Sequence, residues 1–179
     1  GLGLYEAYYN GEKIGNEYLA PFSNNYNAWI QVETYDITKM LQKSQDAGKI
    51  SVLLGNGWYK GRFGFTAKQE KGYYGNEWKA IAELRIEYTD DSIEIIGTGG
   101  DWTVRRSNIT YSSLYDGEHI DDTLPEAPVA QATVCDAPNG ELTDRLSPYL
   151  TIHEEMKPQE LIHTPAGELV LDMGQEITG

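Results

Sequence analysis

The stretch AIAELRIEYTDDSIEII, residues 80–96, restricts the possible folds more than any other part of the chain. Ile81, Glu83, Arg85 and Glu87 share one parity, while Ala82, Leu84, Ile86 and Tyr88 share the apolar one. A period of two sets alternate side chains on opposite faces of a strand, whereas an amphipathic helix needs apolar residues every three or four positions. Asp90, Asp91 and Ser92 break the alternation with turn-forming side chains, so Ile93 to Ile96 is expected to return as the second strand of a hairpin.

The same pattern recurs elsewhere. Leu4 to Tyr9 is aromatic and strand-like, and Asn10-Gly11 is the dipeptide best suited to a tight hairpin turn, which predicts a second strand near Lys13 to Leu19. In WIQVETYDIT, residues 29–38, Ile30, Val32 and Thr34 fall on one face and Gln31, Glu33 and Tyr35 on the other, as in a half-buried strand. Asp36 is placed to cap one helical turn through Ile37 to Leu41. Further strands are expected at Ile50 to Leu54, Trp102 to Arg105 and Ile109 to Leu114, and no later segment keeps helical periodicity over two turns. Many short strands separated by Gly- and Asn-rich turns predict an all-β chain built as an antiparallel jelly roll or sandwich.

Composition divides the chain. Residues 1–120 form the expected first domain, residues 121–148 are rich in Pro, Ala, Asp and Thr and read as a linker, and 149–179 read as a partial second β domain. Strand-like YLTIHEEMKP and GELVLDMG supply too few strands to bury a core alone. Gly1 opens directly onto a strand-like segment, so the sequence reads as a piece of a longer chain whose export signal would lie upstream.

Charge narrows the partners. With 28 acidic and 14 basic side chains the formal charge is -14, which argues against a nucleic-acid backbone or an anionic membrane and leaves neutral ligands and cations open. The single Cys135 precludes an intramolecular disulfide, and no apolar run approaches the roughly 20 residues of a membrane-spanning helix.

Few residues suggest chemistry directly. His119, His153 and His163 lack metal-like spacing with Cys135 and read as surface side chains. GTGGDW, residues 97–102, resembles a phosphate loop, but no helix comes after it to hold an anion. Asp116 and Glu118 are paired carboxylates of the kind glycoside hydrolysis uses, and a solvated strand edge has the same pattern. Thirteen tyrosines and four tryptophans against three phenylalanines suit a wet surface that stacks on sugar rings, although sheet packing also favours tyrosine.

Several motifs, taken in order, resemble the N-terminal accessory region of bacterial α-L-rhamnosidases: GLGLYEAYYNGEKIGNEYLAP, VETYDIT, LLGNGWYKGRFGF, YGNEWKAIAELRIEYTD, DWTV and YSSLYDGEHID. TIHEEMKPQELI and GELVLDMGQEITG are similar to the opening strands of the β-sandwich that comes next in such enzymes. The resemblance implies a jelly-roll domain attached to an inverting hydrolase of terminal L-rhamnose, with the acid and base on a helical barrel beyond residue 179. The fragment itself is then expected to be inactive, and for the parent protein a secreted or periplasmic location is favoured.

Some members of that family hold L-rhamnose through calcium in this domain. Carried onto this chain, the resemblance points to Asn76 and Glu77 as sugar-binding and calcium-ligating residues and to Trp102 as a stacking wall. The family often has Asp at the position of Asn76, so one formal charge is missing here. Trp58 and Tyr59 continue an apolar strand and are expected as core or interface rings, with sugar contact the minor alternative. Asp116 and Glu118 are expected on a cleft-facing loop turned toward a neighbouring domain. The chain thus has three readings: a non-catalytic accessory domain that binds rhamnose-containing carbohydrate; a structural module that packs on the catalytic domain and exposes an apolar patch near Trp58 to Phe65 or on the C-terminal strands; and a glycosidase in its own right that uses Asp116 and Glu118.

Overall fold

The computed structural model describes residues 1–44, 47–64 and 72–177, so Phe65 lies outside the described residues. The chain divides into two compact units, Gly1–Tyr149 and Leu150–Gly179. The fold is all-β, as the sequence predicts, and among the described residues helix is confined to two short turns.

In the first unit β1 (Leu4–Tyr9) turns at Asn10 and Gly11, whose φ values of 49° and 83° are the left-handed ones a tight hairpin requires, and returns as β2 (Glu12–Lys13). β2 is shorter than expected because the chain turns inward at Ile14, which joins Tyr9 and Ile37 in a buried cluster. β3 (Trp29–Val32) leads to α1 (Thr38–Lys43), where the Asp36 carboxylate accepts the Thr38 N–H at 2.9 Å. β4 (Ile50–Gly55) pairs antiparallel with the whole of β1, from Leu4 opposite Gly55 to Tyr9 opposite Ile50.

α2 (Gly57–Lys60) comes directly after β4, where the sequence predicts that Trp58 and Tyr59 continue the apolar strand. Gly57 has φ 49°, and a Cβ there would lie 2.8 Å from the Leu4 backbone nitrogen, so glycine alone lets the chain coil this close to β1.

β5 (Glu83–Glu87) and β6 (Ile93–Gly97) form the expected hairpin, closed by Asp91 at φ 65° and by the Tyr88 N–H donating to Ser92 O at 2.9 Å. Leu84, from the apolar parity, packs on the Tyr9–Ile14–Ile37 cluster. β7 (Thr103–Val104) precedes a second hairpin of β8 (Ile109–Ser113) and β9 (Gly117–Ile120).

The stretch 121–148, expected as a linker, contributes two short strands to the first unit. β10 (Ala130–Gln131) pairs antiparallel with β7, and β11 (Glu141–Asp144) pairs with β3. The β3–β11 pair is parallel, unlike the antiparallel pairs the sequence predicts. A hairpin forces antiparallel pairing, and the long intervening chain between these two strands imposes no such restriction.

The second unit carries β12 (Glu160–His163) and β13 (Leu169–Asp172), antiparallel with Leu161 opposite Leu171. β12 lies just after the expected YLTIHEEMKP because the turn at Thr164–Gly167, closed by the Gly167 N–H to Thr164 O bond of 2.9 Å, fixes which residues precede it. Leu161, Ile162, Leu169, Val170 and Leu171 are all exposed.

Candidate functional site

α2 places Trp58 and Tyr59 in succession, and successive helical side chains diverge by about 100°. Tyr59 turns inward, where its ring meets Tyr26 edge-on at 4.9 Å and 68°. Tyr74 meets Tyr26 in the same way at 5.0 Å and 61°. Edge-to-face contact is the arrangement ring quadrupoles favour. Tyr26 is 3% exposed and packs with Leu2 and Ile30, so it forms the floor on which the two half-buried rings stand. Burial raises its phenol pKa, which keeps that floor uncharged.

Backbone contacts hold the two standing rings. The N–H groups of Tyr74 and Gly75 both donate to the Tyr59 carbonyl, at 3.0 and 3.3 Å. A Cβ on Gly75 would lie 2.2 Å from the Tyr59 hydroxyl, so the tyrosine wall depends on glycine there. Asn27, Pro138 and Asn139 complete a cleft of about 160 Å³ around the three tyrosines. Ligand sites for drug-sized molecules run from about 300 Å³ upward, so this one suits a single small ring. Its lining is made of three tyrosines, two asparagines and a proline, and among the described residues no carboxylate lines it.

Trp58 turns the other way. It meets Phe22 edge-on at 5.4 Å, and its indole N–H donates to the Tyr115 hydroxyl at 3.3 Å. The same hydroxyl accepts the Gly64 N–H at 2.9 Å, and the Arg62 guanidinium lies 4.8 Å from the Tyr115 ring centre. Arg62 forks onto Asp116, with Nε to Oδ2 at 3.1 Å and Nη2 to Oδ1 at 2.8 Å. The hydroxyls of Ser113 and Tyr111 also donate to Asp116 Oδ2, at 2.9 and 3.3 Å. Arg62 first, then Ser113, hold the Asp116 carboxyl below the usual carboxylate range. A general acid must keep its proton until the leaving group takes it, and Asp116 is set up for the opposite. Glu118 is exposed and accepts the Ser112 hydroxyl at 3.3 Å. Here Asp116 and Glu118 serve separate hydrogen-bond sets, and the Arg62–Asp116 pair straps α2 to the second hairpin.

Asn76, Glu77 and Trp102 are not brought together with the cleft. Asn76 Oδ1 accepts the Gly72 N–H at 2.8 Å, closing a local turn. Glu77 is 77% exposed and stands 3.7 Å from Lys79. Trp102 donates its indole N–H to Gly97 O at 3.3 Å and is half-buried against the turn before its own strand. Calcium takes six to eight oxygen ligands. Among the described residues Asn76 and Glu77 supply one engaged amide oxygen and one splayed carboxylate, and no group of three acidic, histidine or cysteine side chains gathers anywhere. That donor set does not fit a calcium ion.

Of the residues singled out from the sequence, Tyr59 alone lines the cleft. Tyr26, Asn27, Pro138 and Asn139 fall in none of the motifs quoted above, and Tyr74 opens YGNEWKAIAELRIEYTD without standing out as a site residue. The available signals are the tyrosine excess and the asparagine-rich NNYN at 24–27. Nothing in the sequence marks Pro138 and Asn139.

A family model described as the α-L-rhamnosidase N-terminal domain matches residues 1–162. Among curated proteins the chain is 29% identical to an α-L-rhamnosidase of Streptomyces avermitilis and 26% identical to one of an Alteromonas species, in both cases over 99% of this chain. It spans 18% and 20% of those two proteins, about a fifth of their length. Among solved structures it is similar to an α-L-rhamnosidase from Dictyoglumus thermophilum, with a TM-score of 0.77 and 32% identity over 97% of this chain and 19% of that one. The Streptomyces avermitilis α-L-rhamnosidase complexed with L-rhamnose aligns with the same TM-score of 0.77 at 28% identity, over 97% of this chain and 18% of that one.

Proposed function

Since the chain belongs to the α-L-rhamnosidase N-terminal domain family, we propose that it serves an α-L-rhamnosidase as a non-catalytic β-domain that holds a terminal L-rhamnose in the tyrosine cleft. The whole protein would hydrolyse terminal α-L-rhamnose from a glycan with an acid and a base located elsewhere in it. The observation that carries this reading is the cleft lining: three tyrosine rings, two asparagine residues and, among the described residues, no carboxylate around a space for one ring. Rings cover the apolar C–H face of a deoxy sugar, and amides satisfy hydroxyls that would be costly to bury unpaired. A hydrolytic site would need two carboxyl groups flanking the same space.

The test is a titration with L-rhamnose monitored by NMR of the tyrosine rings. Saturable shifts at Tyr59 and Tyr74 are expected at millimolar sugar, lost in Tyr74→Ala. Absence of any shift at that concentration sinks the sugar reading.

A second reading has its own support. Leu161, Leu169 and Leu171 are 53%, 64% and 58% exposed, on a two-stranded hairpin that is marginal alone. As a structural module, this unit would be covered by further chain of the same rhamnosidase. Amide exchange in β12 and β13 should then slow markedly in the longer polypeptide, and equal exchange in both would remove the idea.

A further inference from the structure

We propose that Gln31, Glu33, Gly140 and Arg145 form a latch that holds the Pro138–Asn139 wall against the tyrosines, so that the sugar cleft is complete only while this latch is closed. The proposal rests on the sugar-binding reading above and names the residues that position its site.

The cleft has two walls of different origin. Tyr26, Asn27, Tyr59 and Tyr74 come from the first 74 residues, and the three tyrosines share one cluster with Leu2 and Ile30. Pro138 and Asn139 arrive more than 60 residues later and stand outside that cluster. Their anchorage begins at Gly140, where a Cβ would lie 2.8 Å from the Tyr26 carbonyl oxygen and 3.0 Å from Ile30 Cγ1. Only a residue without a side chain lets the wall approach this closely. Glu141 then donates its N–H to Ala28 O at 3.0 Å and starts the parallel pair with β3.

A parallel pair of two short strands is weak by itself, so its far end has to be secured. Two side chains of the β3 segment secure it. Gln31, 2% exposed, accepts the Leu146 N–H on Oε1 at 2.7 Å, while its Nε2 donates to Pro21 O at 3.2 Å and Ser23 O at 3.3 Å. It is therefore fixed from both sides. Glu33 Oε1 accepts from Arg145 Nη1, with the two side chains 0% and 8% exposed. The rest of the guanidinium folds its own segment into shape, with Nε on Ser147 O at 2.7 Å, Nη2 on Pro148 O at 3.0 Å, and the Tyr149 ring 4.2 Å away. Glu33 Oε2 is sealed and makes no hydrogen bond among the described residues. Such a pair is a poor general stabiliser, and its geometry instead fixes where the arriving segment must dock.

Neither Glu33 nor Arg145 lines the cleft, which makes Arg145→Gln the informative change. The latch predicts that amide exchange at Glu141 and Leu146 speeds up together by about tenfold or more, while the β1–β4 ladder is unaffected, and that L-rhamnose affinity falls by a similar factor. Arg145→Lys, which keeps the charge, should restore part of both. Should Arg145→Gln fail to fold, Gly140→Ala separates the wall from Tyr26 at the near end and should reproduce the loss of affinity with faster exchange at Glu141. A folded variant with unchanged exchange at Glu141 and Leu146, or with faster exchange and unaltered sugar affinity, overturns the latch. Should the unaltered protein show no L-rhamnose binding at all, the sugar reading falls, the latch's part in a sugar site falls with it, and exchange alone decides whether the wall is latched.

Discussion

Arg145 and Arg62 each reach a carboxylate far away in sequence, Glu33 across 112 residues and Asp116 across 54, but in opposite surroundings. The Glu33–Arg145 pair is sealed, with side chains 0% and 8% exposed, whereas Asp116 and Arg62 keep 39% and 22% of their side-chain surface. The sealed pair is also the less satisfied of the two. Glu33 Oε2 has no hydrogen-bond partner among the described residues, while both oxygens of Asp116 are engaged by Arg62, Ser113 and Tyr111. The direction of each carboxyl's titration agrees: burial pushes Glu33 up despite Arg145, and Arg62 pulls Asp116 down. Identical chemistry thus does different work. The buried pair sets geometry at a cost in desolvation, and the exposed pair fastens α2 to the second hairpin with little desolvation.

The largest expected effect comes from breaking one side of the sealed pair. Glu33→Leu leaves the Arg145 guanidinium buried without a counter-charge, at a cost of about 3–5 kcal/mol. For a chain of this size that corresponds to a fall in Tm of roughly 10 °C. Adding Arg145→Met to the same protein should recover most of the loss, because two apolar side chains replace two desolvated charges. Thermal unfolding of both variants checks this, and a double variant no more stable than the single one would show that the pair itself is a net stabiliser.

A smaller effect is expected at the exposed pair. Asp116→Asn keeps the shape of the side chain, removes the charge and turns one of its two accepting oxygens into a donor, and because the site is open to solvent Tm should drop only slightly. Salt separates the two pairs: at about 1 M, where screening acts over about 3 Å, the difference between wild type and Asp116→Asn should shrink, while the penalty of Glu33→Leu persists. A penalty at Glu33 that also fades in salt would mean the pair is open to water.

The same contrast explains what the sequence could and could not disclose. The Asn10-Gly11 turn, the Leu84–Ile86 parity and the Asp90–Ser92 turn are local physics, and the structure has them where the pattern puts them. Gln31 and Glu33 are legible as the polar face of a half-buried strand, and sequence reading stops there. Their side chains are met by Leu146 and Arg145, which follow the strand that pairs with β3, and short-range periodicity cannot foresee this because a turn-rich, proline-containing segment looks like a linker. Tyr59 is visible as a ring next to a strand, but its partners Tyr26 and Tyr74 meet it only after folding. Arg62 and Asp116 are both in view, in motifs more than 50 residues apart, with no sequence signal that they pair.

The finest test uses pH, because the two carboxyls must respond with opposite signs. Asp116 titrates below its unfolded value near pH 3.9, so its contribution is complete above that value and is lost as pH falls through the lower folded one. Glu33 titrates above its unfolded value near pH 4.3, so the folded protein gains relative stability as pH falls through the raised folded value, and the gain levels off below about 4.3. Unfolding by denaturant at a series of pH values, for wild type, Asp116→Asn and Glu33→Gln, isolates each contribution by subtraction. The wild type minus Asp116→Asn difference should diminish on acidification below about pH 4, and the wild type minus Glu33→Gln difference should rise on acidification toward about pH 4. Two differences of the same sign would mean that Arg145 holds Glu33 ionised in the fold as firmly as Arg62 holds Asp116, and the distinction between a geometric latch and a surface strap would then have to be abandoned.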